Sequence, residues 1–390
     1  IGFTDTNVKV GNTALDSLTT GTSNTAVGDV ALTANTTGAY NTAVGRQALD
    51  ANTTADSNTG VGFRALTSNT TGASNTALGL NSMFTNTTAS NNVAIGQGAL
   101  YTSNAADNVA VGYNALYDNS TGYSNVAVGK DSLEENTTGA NNTAVGSGAL
   151  EENTTGEQNT AVGAGALDAN TTASNNTAIG FQSLTTNSTG SSNSALGVSA
   201  LIANTTGASN VAVGYQALEA NTTASNNTAL GYNALGANTT GAQNVAVGGA
   251  ALDANTTASN NTAVGQNSLT ENTTGTNNTA IGRASLYTNT TGDGNVAVGV
   301  QALLYSTTAS SNTAVGHNAL LNNTTGTQNV AVGANTLDAN TTGYYNTAVG
   351  PYSLGSNTTG YSNTAIGWKA LEDNTTGAGN VAIGDEAMLN

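Results

Sequence analysis

The 390-residue chain has no cysteine, one proline (Pro351) and one histidine (His317). Without cysteine there is no disulfide framework, and a Cys/His metal centre has no ligand set to draw on. The compartment stays open, because extracellular fibres also dispense with cysteine. Only 6 residues are basic against 23 acidic, for a net charge of −17. A nucleic-acid backbone is bound by clustered Lys and Arg, so nucleic acid is excluded as a partner. No stretch approaches the ~20 apolar residues of a membrane span, and no membrane insertion is expected. The sequence opens at Ile1 without a basic-then-apolar leader, so a signal peptide is expected to have been removed or to lie outside it. Charged residues make up 7% and aromatics 5%. Such polarity suggests disorder, but disorder does not require apolar residues to return at fixed intervals, and here they do.

The recurring unit is Asn24-Thr25-Ala26-Val27-Gly28 with the twelve residues that follow it to Tyr40. It returns at Asn41, Asn58, Asn75 and Asn92, then one residue early at Asn108, and keeps a 17-residue spacing to Asn380. Counting a worn first copy at Asn7, there are 23 units. A short fixed period identifies a solenoid whose coils contact only their neighbours. A single domain spanning residues 1–390 is expected, with an extension (1–6), the repeats (7–379) and an incomplete last unit (380–390). No capping helix or charged plug is recognisable at either end.

Within a unit, column one is Asn and column five Gly in all 23 copies. Column three is almost always Ala, column four Val, Ile or Leu, and column nine Leu or Met. Columns twelve to fifteen usually read Asn-Thr-Thr-Gly or Asn-Thr-Thr-Ala, a turn composition. The β-branched residues and the regular glycines oppose helices. An all-β parallel β-solenoid of about 23 coils is therefore predicted, with two short strands and two turns per coil. Strand alternation places columns two and four on one face and column three on the other. With columns two, four and nine inward, the core ladder is Val27, Leu32, Val44, Leu49, Leu218 and Leu252. The alanines, among them Ala26, Ala43, Ala212 and Ala246, then form an outward apolar stripe and a candidate interface. Asn24, Gly28, Asn41, Gly45, Asn125 and Gly129 are assigned to structural turns. Gly supplies positive φ there, and Asn hydrogen-bonds its own turn and its stacked neighbours.

Asn91-Asn92-Val93-Ala94-Ile95-Gly96, Ser124-Asn125-Val126-Ala127-Val128-Gly129 and Gly379-Asn380-Val381-Ala382-Ile383-Gly384 resemble the Asn-Ser-Val-Ala-Ile-Gly motif of trimeric autotransporter adhesin heads. The fuller unit also resembles repeat arrays of bacterial and phage tail-fibre-like proteins. The resemblance implies a left-handed parallel β-roll, assembly into homotrimers, and a place on a cell surface or virion. The period differs: it is 17 here, against about 14 in the adhesin heads.

No enzymatic constellation emerges: His317 has no second His or Cys to share a metal, and no Gly-Lys-Thr phosphate loop is present. No cofactor is expected. Glu134, Glu135, Glu151, Glu152 and Asp168 fall on successive coils and are weak metal candidates, more simply read as solvated edge charges. Column six carries Phe63, Tyr113, Phe181, Tyr215, Tyr232 and Trp368, read first as surface variation with local packing, though exposed aromatics would also suit a surface glycan or packing between chains. A host receptor is the other partner considered. Asn-x-Thr/Ser sequons at Asn35, Asn52, Asn69, Asn119 and Asn374 are read first as turn chemistry alone, and would carry sugars only in a glycosylating cell. Ranked Thr columns raise ice recognition, but adjacent threonines would point to opposite faces of a strand. The function expected is a structural fibre protein, lateral and head-to-tail in its assembly, with glycan or ice binding on one face as the alternative.

Overall fold

The computed structural model describes residues 2–4 and 6–389. Its described residues are built of strands, turns and bends alone, in a parallel β-solenoid with the 17-residue period. Contacts divide the chain into two compact units, Ile1–Asn193 and Ser194–Asn390. In the first, β1 (Gly2–Thr4) lies antiparallel on β2 (Asn7–Val10). From β2, strands stack in parallel to β12 (Thr177–Ile179), column on column. In the second, β13 (Ser194–Leu196) begins a parallel stack that runs to β24 (Val381–Ile383).

Each coil has one strand, not two. It covers columns two to four, as in Thr25–Val27. The segment around column nine is a turn, and its backbone explains why: Leu32, Leu49, Leu218 and Leu252 sit at φ values of 52–53°. The left-handed region costs an L-residue roughly 1–2 kcal/mol and cannot belong to a strand. Columns seven and seventeen share it, for example Gln47 and Tyr40, each at φ 60°. Inter-coil hydrogen bonds nonetheless run around the whole cross-section. Leu32 N–H donates to the Ala48 carbonyl at 3.0 Å, Ala34 N–H to Asp50 at 3.1 Å, and Thr36 N–H to Thr53 at 2.8 Å.

The strand presents the opposite face to the core from the one expected. Ala26, Ala43, Ala212 and Ala246 are 0% exposed, so the alanine stripe is core and not an interface. Val27 and Val44 are half-buried on the outer side. Leu32, Leu49, Leu218 and Leu252 are fully buried. Columns one, three, eight, nine, twelve and fifteen, two asparagines among them, fill the interior; a coil of 17 residues is too narrow for a valine opposite each leucine. Methyl groups at column three let the strand approach the leucine column closely. Gly60 holds this position in one coil, and even there an added Cβ would lie 3.3 Å from Leu49.

Column five has a stricter demand. Gly28, Gly45 and Gly129 adopt φ of 141°, 137° and 141°, and a Cβ on each would meet the next coil's carbonyl oxygen at 2.3–2.5 Å. Backbone conformation and close stacking both require glycine there.

Candidate interaction faces

Two ladders of buried asparagine run beneath these surfaces. In column one, Asn24 Oδ1 accepts the backbone N–H of Asn41 at 3.0 Å, while its Nδ2 donates to the Gly38 carbonyl at 2.9 Å. Asn125 does the same with Asn142 N–H and the Gly139 carbonyl, both at 2.9 Å. In column twelve, Asn52 Nδ2 donates to Asn35 Oδ1 at 2.9 Å and to the Ala55 carbonyl of its own turn at 3.1 Å. These asparagines act in their turns, as read, and the alternative that they carry sugars is corrected. Asn35, Asn52, Asn69 and Asn119 are 0% exposed, and their amide nitrogens, like that of part-buried Asn374, are donors within the fold. A glycan on that nitrogen would occupy the space of the adjacent coil.

Three outer faces remain. The strand face carries column four, with Leu78, Ile179, Leu196, Leu230 and Ile281 each 38–47% exposed, beside the Thr and Val of column two. Parallel sheets are ordinarily covered on both sides; this one presents β-branched and leucine side chains to solvent.

The second face is formed by columns thirteen and fourteen. Because this segment is a bend and not a strand, neighbouring threonines such as Thr36 and Thr37 both lie on the outside. The expectation that they point to opposite faces is corrected accordingly. Column-thirteen hydroxyls are fixed: Thr36 Oγ1 donates to the Thr53 carbonyl at 3.1 Å and Thr137 Oγ1 to that of Thr154 at 2.9 Å.

The third face holds the acidic and aromatic side chains. Glu134, Glu151 and Asp168 stack, half-buried, in column ten, with Glu135 and Glu152 exposed beside them. Burial foremost raises the carboxyl pKa of all three; neighbouring Asp131 adds to this for Glu134, and Asp168 for Glu151. Asn114 Nδ2 donates to Glu134 at 3.0 Å, and Lys130 pairs with Asp131. Among the described residues no group of three or more His, Cys, Asp or Glu converges on a point where a metal would sit. The column-six aromatics are exposed, and Tyr215 and Tyr232 stack face to face at 5.7 Å. A second stack, absent from the sequence reading, is Phe84–Tyr101–Tyr117, with centroids 5.1 and 4.8 Å apart. Tyr344 stacks on Tyr361 at 5.0 Å. The rings of these three stacks spend their faces on one another, whereas Tyr113 and Phe181 stand exposed without a stacked ring. Tyr305 is 49% exposed, no ring stacks on it, and it stands in column eleven, where the sequence reading assigned carboxylates but not this tyrosine. The signal lay in its coil, which reads Leu304-Tyr305-Ser306 where most coils have Asn in the last place.

Ile1 and Asn390, the residues expected to meet in a head-to-tail filament, lie outside the described residues. The edge of β2 is occupied by β1. No helix among the described residues is long and apolar enough to cross a membrane. The chain matches no protein-family model and no curated protein.

Proposed function

We propose that the chain is the shaft or head of an extracellular fibre, on a cell surface or virion, with a structural and attachment role and no catalysis. The observation that carries this reading is the outward-facing Val/Ile/Leu column on the strand face, half-buried or exposed in coil after coil. An apolar surface of that regularity is covered in the working protein, and a second and third copy of the same ribbon match its spacing. Three strand residues span about 10 Å and eleven coils about 50 Å, so one unit offers roughly 500 Å² in projection. A stable interface takes about 800 Å² of accessible surface per partner, so side chains flanking the strand contribute to the pairing as well. The motif resemblance to trimeric adhesin heads supports the same assembly. Lateral association is favoured over head-to-tail growth, because a continuous column would require β1 to leave β2.

Sedimentation of the full chain tests this. The wild type is expected to be oligomeric, and Val128→Lys, Val145→Lys, Leu230→Lys and Ile281→Lys together to give monomers with an unchanged circular-dichroism spectrum. A monomeric wild type at every concentration, or an oligomer unmoved by the four lysines, would refute it.

A second reading has one observation of its own. Both threonine ranks face outward, and from Thr205-Thr206 to Thr375-Thr376 neither is interrupted. Rigid hydroxyls about 4.8 Å apart form a surface on which water orders, and ice is the ligand it suits. Thermal hysteresis measures this directly, and its absence at high protein concentration removes the reading.

A further inference from the structure

In the second unit a groove of about 690 Å³ runs along the coil stack, lined by Glu271, Thr288, Tyr305, Thr307, Asn322, Thr324, Ala339 and Thr341. These residues come from columns eleven and thirteen of five successive coils, so the groove follows the fibre axis for roughly 20 Å. Its lining has a definite hydrogen-bonding sense. The hydroxyls of Thr307, Thr324 and Thr341 donate to the carbonyls of Thr324, Thr341 and Thr358 at 3.0–3.2 Å. Thr288 Oγ1 donates to the Leu304 carbonyl at 2.9 Å, and Asn322 Nδ2 to that of Asp338 at 2.8 Å. With those protons committed to the fold, the threonine oxygens, Asn322 Oδ1 and the Glu271 carboxylate are left as acceptors. A ligand that fits must bring many donors, and a carboxylate in an acidic protein repels an anionic one.

Tyr305 supplies an apolar surface in the same groove. Unlike the stacked tyrosines, it has no ring against it. Its coil also breaks a rule that most others keep. With Ser306 in place of the ladder asparagine, Ser306 Oγ and Asn289 Oδ1 are both buried without a hydrogen-bond partner. Local rules are broken at a stability cost mainly where function asks for it.

We infer that this groove binds a neutral, linear oligosaccharide lying along the fibre axis, with a sugar ring on Tyr305 and its hydroxyl groups donating to the threonine rank. This goes beyond the fibre role and is independent of how the copies assemble.

The test uses the full chain on an array of neutral linear gluco-, manno- and galacto-oligosaccharides, with charged glycans alongside, followed by calorimetry on the best binder. Wild type is expected to bind a neutral oligosaccharide, Tyr305→Phe to retain binding, and Tyr305→Ala to lose about tenfold in affinity. Tyr232→Ala, in the stacked pair, is expected to bind as wild type does. Binding of charged glycans only, no binding at all, or equal affinity of Tyr305→Ala and wild type would overturn the inference. So would an equal loss in Tyr232→Ala. Sedimentation of the same samples reports assembly separately, so failure of one reading leaves the other standing.

Discussion

The two asparagine ladders run side by side through the core, yet one is never broken and the other is. Column one holds Asn in all 23 units, whereas column twelve gives way to Leu18, Ser103 and Ser306. The difference follows from what each amide satisfies. A column-one Asn serves the next unit's backbone N–H and a carbonyl near the end of its own unit: Asn244 accepts from Asn261 N–H at 2.9 Å and donates to the Ala258 carbonyl at 2.8 Å, whereas at Asn176 the Nδ2 is unpartnered. A column-twelve Asn bonds mainly to its own kind and shares a carbonyl that already has a partner. Asn255 donates to Asn238 Oδ1 at 2.9 Å and to the same Ala258 carbonyl at 3.0 Å. Two of its breaks leave a recognisable trace, because Asn86 Oδ1 and Asn289 Oδ1, the acceptors facing Ser103 and Ser306, are unpartnered. The carbonyl has both amides as partners, but the N–H of the next unit's Asn has only the column-one Oδ1; a column-twelve amide can lose one neighbour and keep its turn.

The comparison is broken most severely by Asn244→Ala. It strands an N–H and weakens the hold on a carbonyl, at about 2–5 kcal/mol. Coils exchange energy only with their neighbours, so hydrogen–deuterium exchange is the sensitive measure: protection should fall from the coil of Asn227 to that of Asn261. Exchange like wild type would mean that water replaces the amide. Asn255→Ala leaves the Ala258 carbonyl bonded to Asn244 and should cost less, about 1–2 kcal/mol, with faster exchange confined to the Asn-Thr-Thr turns. If it matched Asn244→Ala, the two ladders would be equivalent. Ser306→Asn should reverse the sign, stabilising by about 1 kcal/mol as Asn289 Oδ1 regains a donor, and slow exchange at Asn289 would report it.

The smallest effect concerns pH. Glu134, Glu151 and Asp168 have folded-state pKa values raised chiefly by burial. Their folded forms therefore hold protons that the unfolded chain has released, and stability rises as pH falls from neutrality into the folded titration range. A modest gain in melting temperature on mild acidification is expected. Glu134→Gln and Glu151→Gln together should reduce it without abolishing it, because burial also raises the half-buried column-ten aspartates Asp50, Asp168, Asp253 and Asp338.

Much of this molecule was legible in one dimension. The period, the parallel stacking and the demand for Asn at column one and Gly at column five all show as repetition, since a residue needed once per coil appears once per coil. The groove was not legible, because Tyr305, Thr324 and Glu271 are neighbours only after coils stack, and only the missing Asn at Ser306 hinted at it. Alternation tied columns two and four together against column three, but parity alone leaves open which set faces the core. Hydrophobicity favoured valine over alanine, and the coil's width decided otherwise: with a leucine and two asparagines inside, only a methyl group fits across from them. The same constraint removed the second strand. To bring Leu252 inward within 17 residues the backbone must turn through φ of 52°, a conformation that no apolar pattern announces and that the packed tertiary structure alone enforces.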